Sequence, residues 1–203
     1  RANVSATTAI GTHLLSASSF ISKTISYRRY FLIHSSTNAI TTVFASEKIS
    51  AGARARIRLA TDDTLELWNA TVKLGSSSAA LSKDTWHRVE LQVVIDGGGV
   101  TTSVEAKLNG TAFASGSSQS IGSTDGVRWG ITDSSTADLY FDDIAVNDES
   151  GTAQTGYPGS GKLVLALPTG AGDNAATTGV FSYINEIPPS DTATSGSTMI
   201  ELD

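Results

Sequence analysis

Cysteine is absent from this 203-residue chain. Disulfides, thiolate metal sites and cysteine nucleophiles are therefore excluded together, although the compartment is not fixed by that absence. Lysine and glutamate are sparse beside Ser, Thr, Ala and Gly, so helix formers with charged ends are few while strand and turn formers are common. No apolar run approaches the length needed to span a membrane. No self-similarity appears at the periods of solenoids or propellers. The chain opens at Arg1 with neither a methionine nor a signal peptide, which gives the expectation of a processed or excised piece.

What is present suits one large β domain, or one domain with an appendage. A chain of this length buries roughly 70% of its unfolded surface, so a core forms without covalent staples. The net charge of −6 is unevenly spread: residues 1–88 carry 11 Lys or Arg against 5 Asp or Glu, and residues 89–203 carry 3 against 15. In one folded domain such halves interleave as neighbouring strands. The overall acidity argues against nonspecific nucleic-acid binding, which draws its affinity from neutralised phosphates.

The clearest pattern runs from Thr85 to Ala114. Val89, Leu91, Val93 and Ile95 share one parity and Arg88, Glu90 and Gln92 the other, as a sheet with one buried face requires. Asp96-Gly97-Gly98-Gly99 interrupts the run, because glycine reaches positive φ without steric cost. Val100, Thr102, Val104, Ala106 and Leu108 then alternate as the inward set, and Asn109-Gly110 signals a type I′ hairpin. The spacing predicts a three-stranded meander. Further strands are expected at Ile25–His34, apolar on both parities at its end like a central strand, and at Ile40–Ala45, Leu65–Asn69, Val72–Gly75, Gly126–Ile131, Asp138–Val146 and Lys162–Leu167. Ala53–Leu59 alternates most sharply of all: Ala53, Ala55, Ile57 and Leu59 against Arg54, Arg56 and Arg58. Roughly a dozen short strands separated by turn signals give an all-β jelly-roll sandwich of two curved antiparallel sheets. Residues 1–19 are expected as an arm or edge strand, 20–187 as the jelly roll, and 188–203, beginning at Pro188-Pro189, as a tail toward a partner or missing domain.

The order of these features carries a resemblance. Leu81, Trp86-His87-Arg88-Val89-Glu90-Leu91, the Leu108-Asn109-Gly110-Thr111 hairpin and the strand Leu139-Tyr140-Phe141-Asp142-Asp143-Ile144-Ala145-Val146 resemble the laminin-G-like jelly rolls of the concanavalin A-like lectin/glucanase superfamily. Tyr157-Pro158-Gly159, Leu163–Pro168, Gly170–Asp173 and Asn185–Pro189 look like virion structural proteins of tailed bacteriophages that carry this domain. The resemblance implies two curved antiparallel sheets and a role on a particle surface, virion or extracellular, packed against copies of itself or other virion subunits.

Candidate chemistry is thin. Glucanases of the superfamily use an E-x-D-x-x-E strand to place two carboxylates on one face, and this sequence has none. Asp142 and Asp143 are adjacent, so on a regular strand they point to opposite faces. They are weak calcium candidates, since hard oxygen ligands suit that ion, and no other cofactor is expected. Gly156–Lys162 nearly spells a P-loop but lacks the terminal hydroxyl and precedes a strand. His13, His34 and His87 lack zinc spacing, and His87 reads as a core or sheet-face residue. No G-x-S-x-G elbow exists to hold a nucleophilic serine. Sequons at Asn3, Asn69 and Asn109 matter only in a eukaryotic secretory setting.

Two readings remain for the Arg54, Arg56, Arg58 stripe. It is a solvated face paired with carboxylates across strands, or a contact surface for an acidic partner or an anionic glycan. Trp68, Trp86 and Trp129 fit core packing, with Trp68, at a strand end, the best placed to meet a sugar. The expectation is thus a non-enzymatic structural protein of a bacteriophage virion (capsid decoration, tail or fibre), acting by oligomeric packing and host-surface adhesion. The alternative is a lectin-like carbohydrate-binding module of a secreted protein, meeting cell-surface glycans. Neither involves nucleic acid or membrane.

Overall fold

The computed structural model describes residues 2–4, 9–16, 19–131, 133, 135–150, 152 and 155–160. The chain divides into two units, Arg1–Gly161 and Lys162–Asp203. The expected strand at Lys162–Leu167 and the tail from Pro188 lie outside the described residues.

Twelve strands and no helix occur among the described residues: β1 (Ala2–Val4), β2 (Ala9–Leu14), β3 (Lys23–Ser35), β4 (Thr41–Lys48), β5 (Gly52–Leu59), β6 (Leu65–Asn69), β7 (Val72–Leu74), β8 (Trp86–Ile95), β9 (Thr101–Leu108), β10 (Thr111–Gly116), β11 (Gly126–Ile131) and β12 (Ala137–Asn147). They form two six-stranded sheets, β1-β12-β3-β8-β9-β10 (sheet 1) and β2-β11-β4-β5-β6-β7 (sheet 2). Every pairing is antiparallel. This is the jelly-roll sandwich that the alternating strands call for.

The meander is β8, β9 and β10. Asn109 and Gly110 both take positive φ, 51° and 92°, the conformation that a type I′ turn demands. Asp96 Oδ1 accepts the Gly98 and Val100 amides, closing the glycine turn. One detail departs from strict alternation. A register shift at Val94/Ile95 turns Thr101 fully inward while Thr102 stays half-buried. A bulge shifts parity in this way because two residues of one strand face one of the other.

The core lies between the sheets. Ile25, Tyr27, Phe31, Ile33, Val89, Leu91, Val93 and Leu139 from sheet 1 meet Phe44, Ala55, Ile57, Leu59, Leu65, Leu67, Val127 and Ile131 from sheet 2. Central strand β3 also sends a cation inward. The Arg29 guanidinium lies 4.9 Å from the Trp129 ring centroid and 5.0 Å from that of Phe141. Aromatic faces accept a guanidinium where water is excluded. Burial still pulls the Arg29 pKa down to about 10, against the opposing charge of Asp142.

The outer faces of the two sheets differ. On sheet 1, Arg28, Glu90 and Lys107 stand in one cross-strand row, and residues 156–159 lie across it. Gly159 donates its amide to Glu90 Oε1 (2.9 Å) and accepts from Arg28 Nη1 (3.1 Å). Tyr157 donates its hydroxyl to Glu105 (2.8 Å), and the Lys107 ammonium sits 3.5 Å from the Tyr157 ring. The described part of the P-loop-like stretch, residues 156–160, is therefore a strap over a sheet. No such strap crosses sheet 2 among the described residues, and its outer face carries the arginine stripe.

Leu91, fully buried at the centre of sheet 1, tests the sandwich. Leu91→Ala should lower the unfolding free energy by about 2–5 kcal/mol in denaturant titration, through lost transfer energy and the cavity left behind.

Candidate functional site

Strand β5 builds the site. Because Ala55, Ile57 and Leu59 occupy the core, Arg56 and Arg58 must project from the other face. Arg54 instead sits with Ala55 in a bulge opposite Ser46, which breaks the alternation, and reaches the 122–123 segment. Registration then sets their neighbours: Arg58 lies between Thr42 and Glu66, and Arg56 between Ala45 and Trp68. The next strands extend the Arg56 row to Arg128 on one side and Lys73 on the other.

Each charge has a distinct environment. Glu47, only 1% exposed, is held by Arg128 in a two-pronged ion pair, Nε and Nη2 donating to the two carboxylate oxygens. Bidentate geometry of this kind offsets the cost of burying a carboxylate. Glu66 accepts from Lys73 Nζ (2.7 Å) and from the Trp68 indole (2.9 Å). Burial pushes the Glu66 carboxyl up, but those two hydrogen bonds and the Lys73 and Arg58 charges outweigh it and hold the group below its ordinary 4.5. Arg58 stacks on Trp68, its guanidinium carbon 4.9 Å from the ring centroid, and its Nη2 lies 3.9 Å from Asp133. Asp133 Oδ2 also accepts the Thr42 amide (2.8 Å). Arg54 donates through Nε to the Ser123 carbonyl (3.2 Å).

Arg56 is half-buried; its Nε, like that of Arg58, is buried without a hydrogen-bond partner, and desolvation lowers its pKa, against the pull of Asp133. The expected pairing of the stripe with cross-strand carboxylates is thus met only loosely, at Arg58. Sequence reasoning found Arg54, Arg56, Arg58 and Trp68 but missed Arg128, Glu47, Asp133 and Lys73. The strand pattern places each of those on some face, but which face they share depends on strand order, and that is not written locally.

The other candidates lie elsewhere. Asp142 and Asp143 do not sit on opposite faces of a regular strand. A register shift between Asp142 and Ala145, with Asp143 at φ 48°, leaves both exposed, and Asp143 pairs with Arg28 (2.7 Å). Among the described residues no group of three or more His, Asp or Glu converges as a metal site. His87 is buried and bonded through Nε2 to the Ser82 carbonyl (3.0 Å). His34 contacts Asp84 (2.6 Å), and His13 is exposed on β2. Trp86, expected in the core, is 46% exposed, because it begins β8 on the outward parity of Arg88 and Glu90.

No family model matches the chain, and no curated protein matches it. Among solved structures, an alginate lyase of polysaccharide lyase family 7 superposes with a TM-score of 0.49 at 14% identity, over 63% of this chain and 60% of the lyase. Trypanosoma rangeli sialidase gives 0.47 at 9% identity, over 61% of this chain and 20% of the sialidase. An alginate lyase from Corynebacterium sp. gives 0.45 at 11%, over 63% and 60%. The chain therefore spans only part of each, 60% of the lyases and 20% of the sialidase. At these identities the likeness is one of fold.

Two expectations are corrected. All three of these structures are carbohydrate-processing enzymes and none is a virion component, so the virion structural role and the exclusion of enzymatic activity are set aside. Most of the residues that carried the phage resemblance, Leu163 to Pro189, also lie outside the described residues.

Two measurements probe this charge arrangement. Arg128→Met strands the buried Glu47 carboxylate and should cost about 3–5 kcal/mol by denaturant titration. Glu66, with its folded pKa depressed, contributes stability that is full above the ordinary 4.5 and is lost as pH falls through the lower folded value. Glu66→Gln should therefore flatten the stability decline below about pH 4.5, leaving the limb above pH 6 parallel to that of the unsubstituted protein.

Proposed function

We propose that this chain is a carbohydrate-binding sandwich that holds glycan against the outer face of sheet 2. The observation that carries the reading is the Trp68 platform. Its indole is half-buried, fixed at Nε1 by Glu66, and stacked against Arg58. A ring held on two sides is pre-organised, so little conformational entropy is lost when a sugar packs on it. The apolar C–H face of a pyranose suits an aromatic surface. The flanking Arg56 and Arg58 supply donors for hydroxyl and ring oxygens, with no competing acceptor of their own.

The other broad face supports the same choice. The outer face of sheet 1 is engaged by the chain's own Tyr157-Pro158-Gly159 strap, so sheet 2 offers the uncovered polar surface among the described residues. The setting we propose is extracellular, where polysaccharide is met in bulk.

A broad glycan array followed by calorimetry tests the reading. Trp68→Ala should weaken binding by at least about tenfold, equivalent to about 1.4 kcal/mol, with an unchanged circular dichroism spectrum and melting temperature. Sizing the bound glycan before and after incubation reads turnover in the same experiment. A protein that binds no glycan on the array, or a Trp68→Ala variant that binds as well as the original, would sink the proposal.

A further inference from the structure

Three buried polar groups on the outer face of sheet 2 lack a hydrogen-bond partner: Arg56 Nε, Arg58 Nε and the Thr42 hydroxyl. They are neighbours. Registration pairs Thr42 with Arg58, and Arg56 stands two residues along the same face of β5. Orphaned buried donors are uncommon in folded proteins, and each one calls for an explanation. Here two guanidiniums, which donate and never accept, share their deficit with one hydroxyl.

The charges around them do not cancel. Arg56, Arg58 and Arg128 stand against Glu47 and Asp133, three positive groups against two negative. Arg128 is committed to Glu47 in a two-pronged pair. Asp133 approaches Arg58 at 3.9 Å and spends one oxygen on the Thr42 amide. Lys73 and Glu66 neutralise each other to the side. The surplus positive charge therefore rests on Arg56.

We propose that Arg56 receives a carboxylate, and that the glycan held on sheet 2 is an acidic one whose sugar rings carry that group, a uronate or a nonulosonate. This inference rests on the reading of sheet 2 as a glycan-binding face. A carboxylate brings the acceptors and the single negative charge that the cluster lacks, and its planar pair of oxygens matches a guanidinium fork. A neutral sugar would supply acceptors and leave the charge unbalanced. One surplus positive charge suits isolated carboxylates spaced along a glycan, in a chain whose net charge of −6 repels densely charged polyanions.

The test uses calorimetry on the full chain with five probes: a linear oligouronate, a sialylated oligosaccharide, the carboxyl-reduced form of each, and a sulfated neutral glucan. At least one carboxylated probe should bind at least about tenfold more tightly than its reduced counterpart, and that preference should weaken as salt rises. Whichever carboxylated probe binds identifies the sugar class. Arg56→Met should abolish the preference without lowering the melting temperature, since it removes a buried group with no partner, whereas a purely structural arginine would lower it. Arg56→Lys should restore part of the preference. Equal binding of the reduced or sulfated probes overturns the carboxylate assignment alone and leaves the glycan reading standing, as does an Arg56→Met variant that keeps the preference. Failure of every probe, charged or neutral, overturns both.

Discussion

Strand β5 lies between two neighbours in the middle of sheet 2 and must fill the space facing sheet 1 with every second residue. Ala55, Ile57 and Leu59 do this with complete burial. Apolar area removed from water stabilises the fold by about 25 cal/mol per Å², so the inward set determines which way the strand faces. Arg56 and Arg58 have no choice but to project from the opposite face. The candidate site is in this sense a by-product of core packing: a rigid strand, held by its buried half, presents two guanidiniums at fixed spacing, and the bulge at Arg54 and Ala55 ends the pattern.

Around that stripe the face is polar but not evenly balanced. Glu47 is neutralised where it is buried, Glu66 is neutralised at the rim, and Trp68 is fixed between a carboxylate and a guanidinium. The other sheet closes its own polar row with the Gly159 backbone and the Tyr157 phenol. Buried arginine Nε atoms without a hydrogen-bond partner remain on both faces, at Arg28 and Arg88 on sheet 1 and at Arg56 and Arg58 on sheet 2. On sheet 2 they stand together with the unpartnered Thr42 hydroxyl.

Much of the fold was legible because strands announce themselves locally. The alternation of Val89 to Ile95, the Asp96–Gly99 turn and the Asn109-Gly110 hairpin are short-range signals, and β8, β9 and β10 follow them closely. What failed was anything set by bulges or by strand order. Asp142 and Asp143 were read as opposed because strict alternation was assumed through what is an irregular stretch of β12. Trp86 was placed in the core by residue type, although its parity with Arg88 and Glu90 already pointed outward. Arg56 was found, but its lack of a partner was invisible, because Arg128 and Glu47 reach it from strands that are distant in sequence and adjacent only through the β11-β4-β5 pairing. Most of the residues behind the phage resemblance, Leu163 to Pro189, fall outside the described residues.

The β4–β5 pairing carries two register shifts, one with an extra β4 residue at Thr42/Phe44 and one with an extra β5 residue, at Arg54 and Ala55, opposite Ala45/Glu47. A regular ladder can slide by one residue and regain most of its hydrogen bonds, but each irregularity matches its partner in one alignment only. For β5 the stakes of sliding are unusually high, since a single step would drive Arg56 and Arg58 into the space between the sheets and expel Ile57 and Leu59 into water. The irregular partner and the alternating arginines thus act as lock and penalty for the same error. The chain's most charged strand becomes the one that is hardest to assemble wrongly.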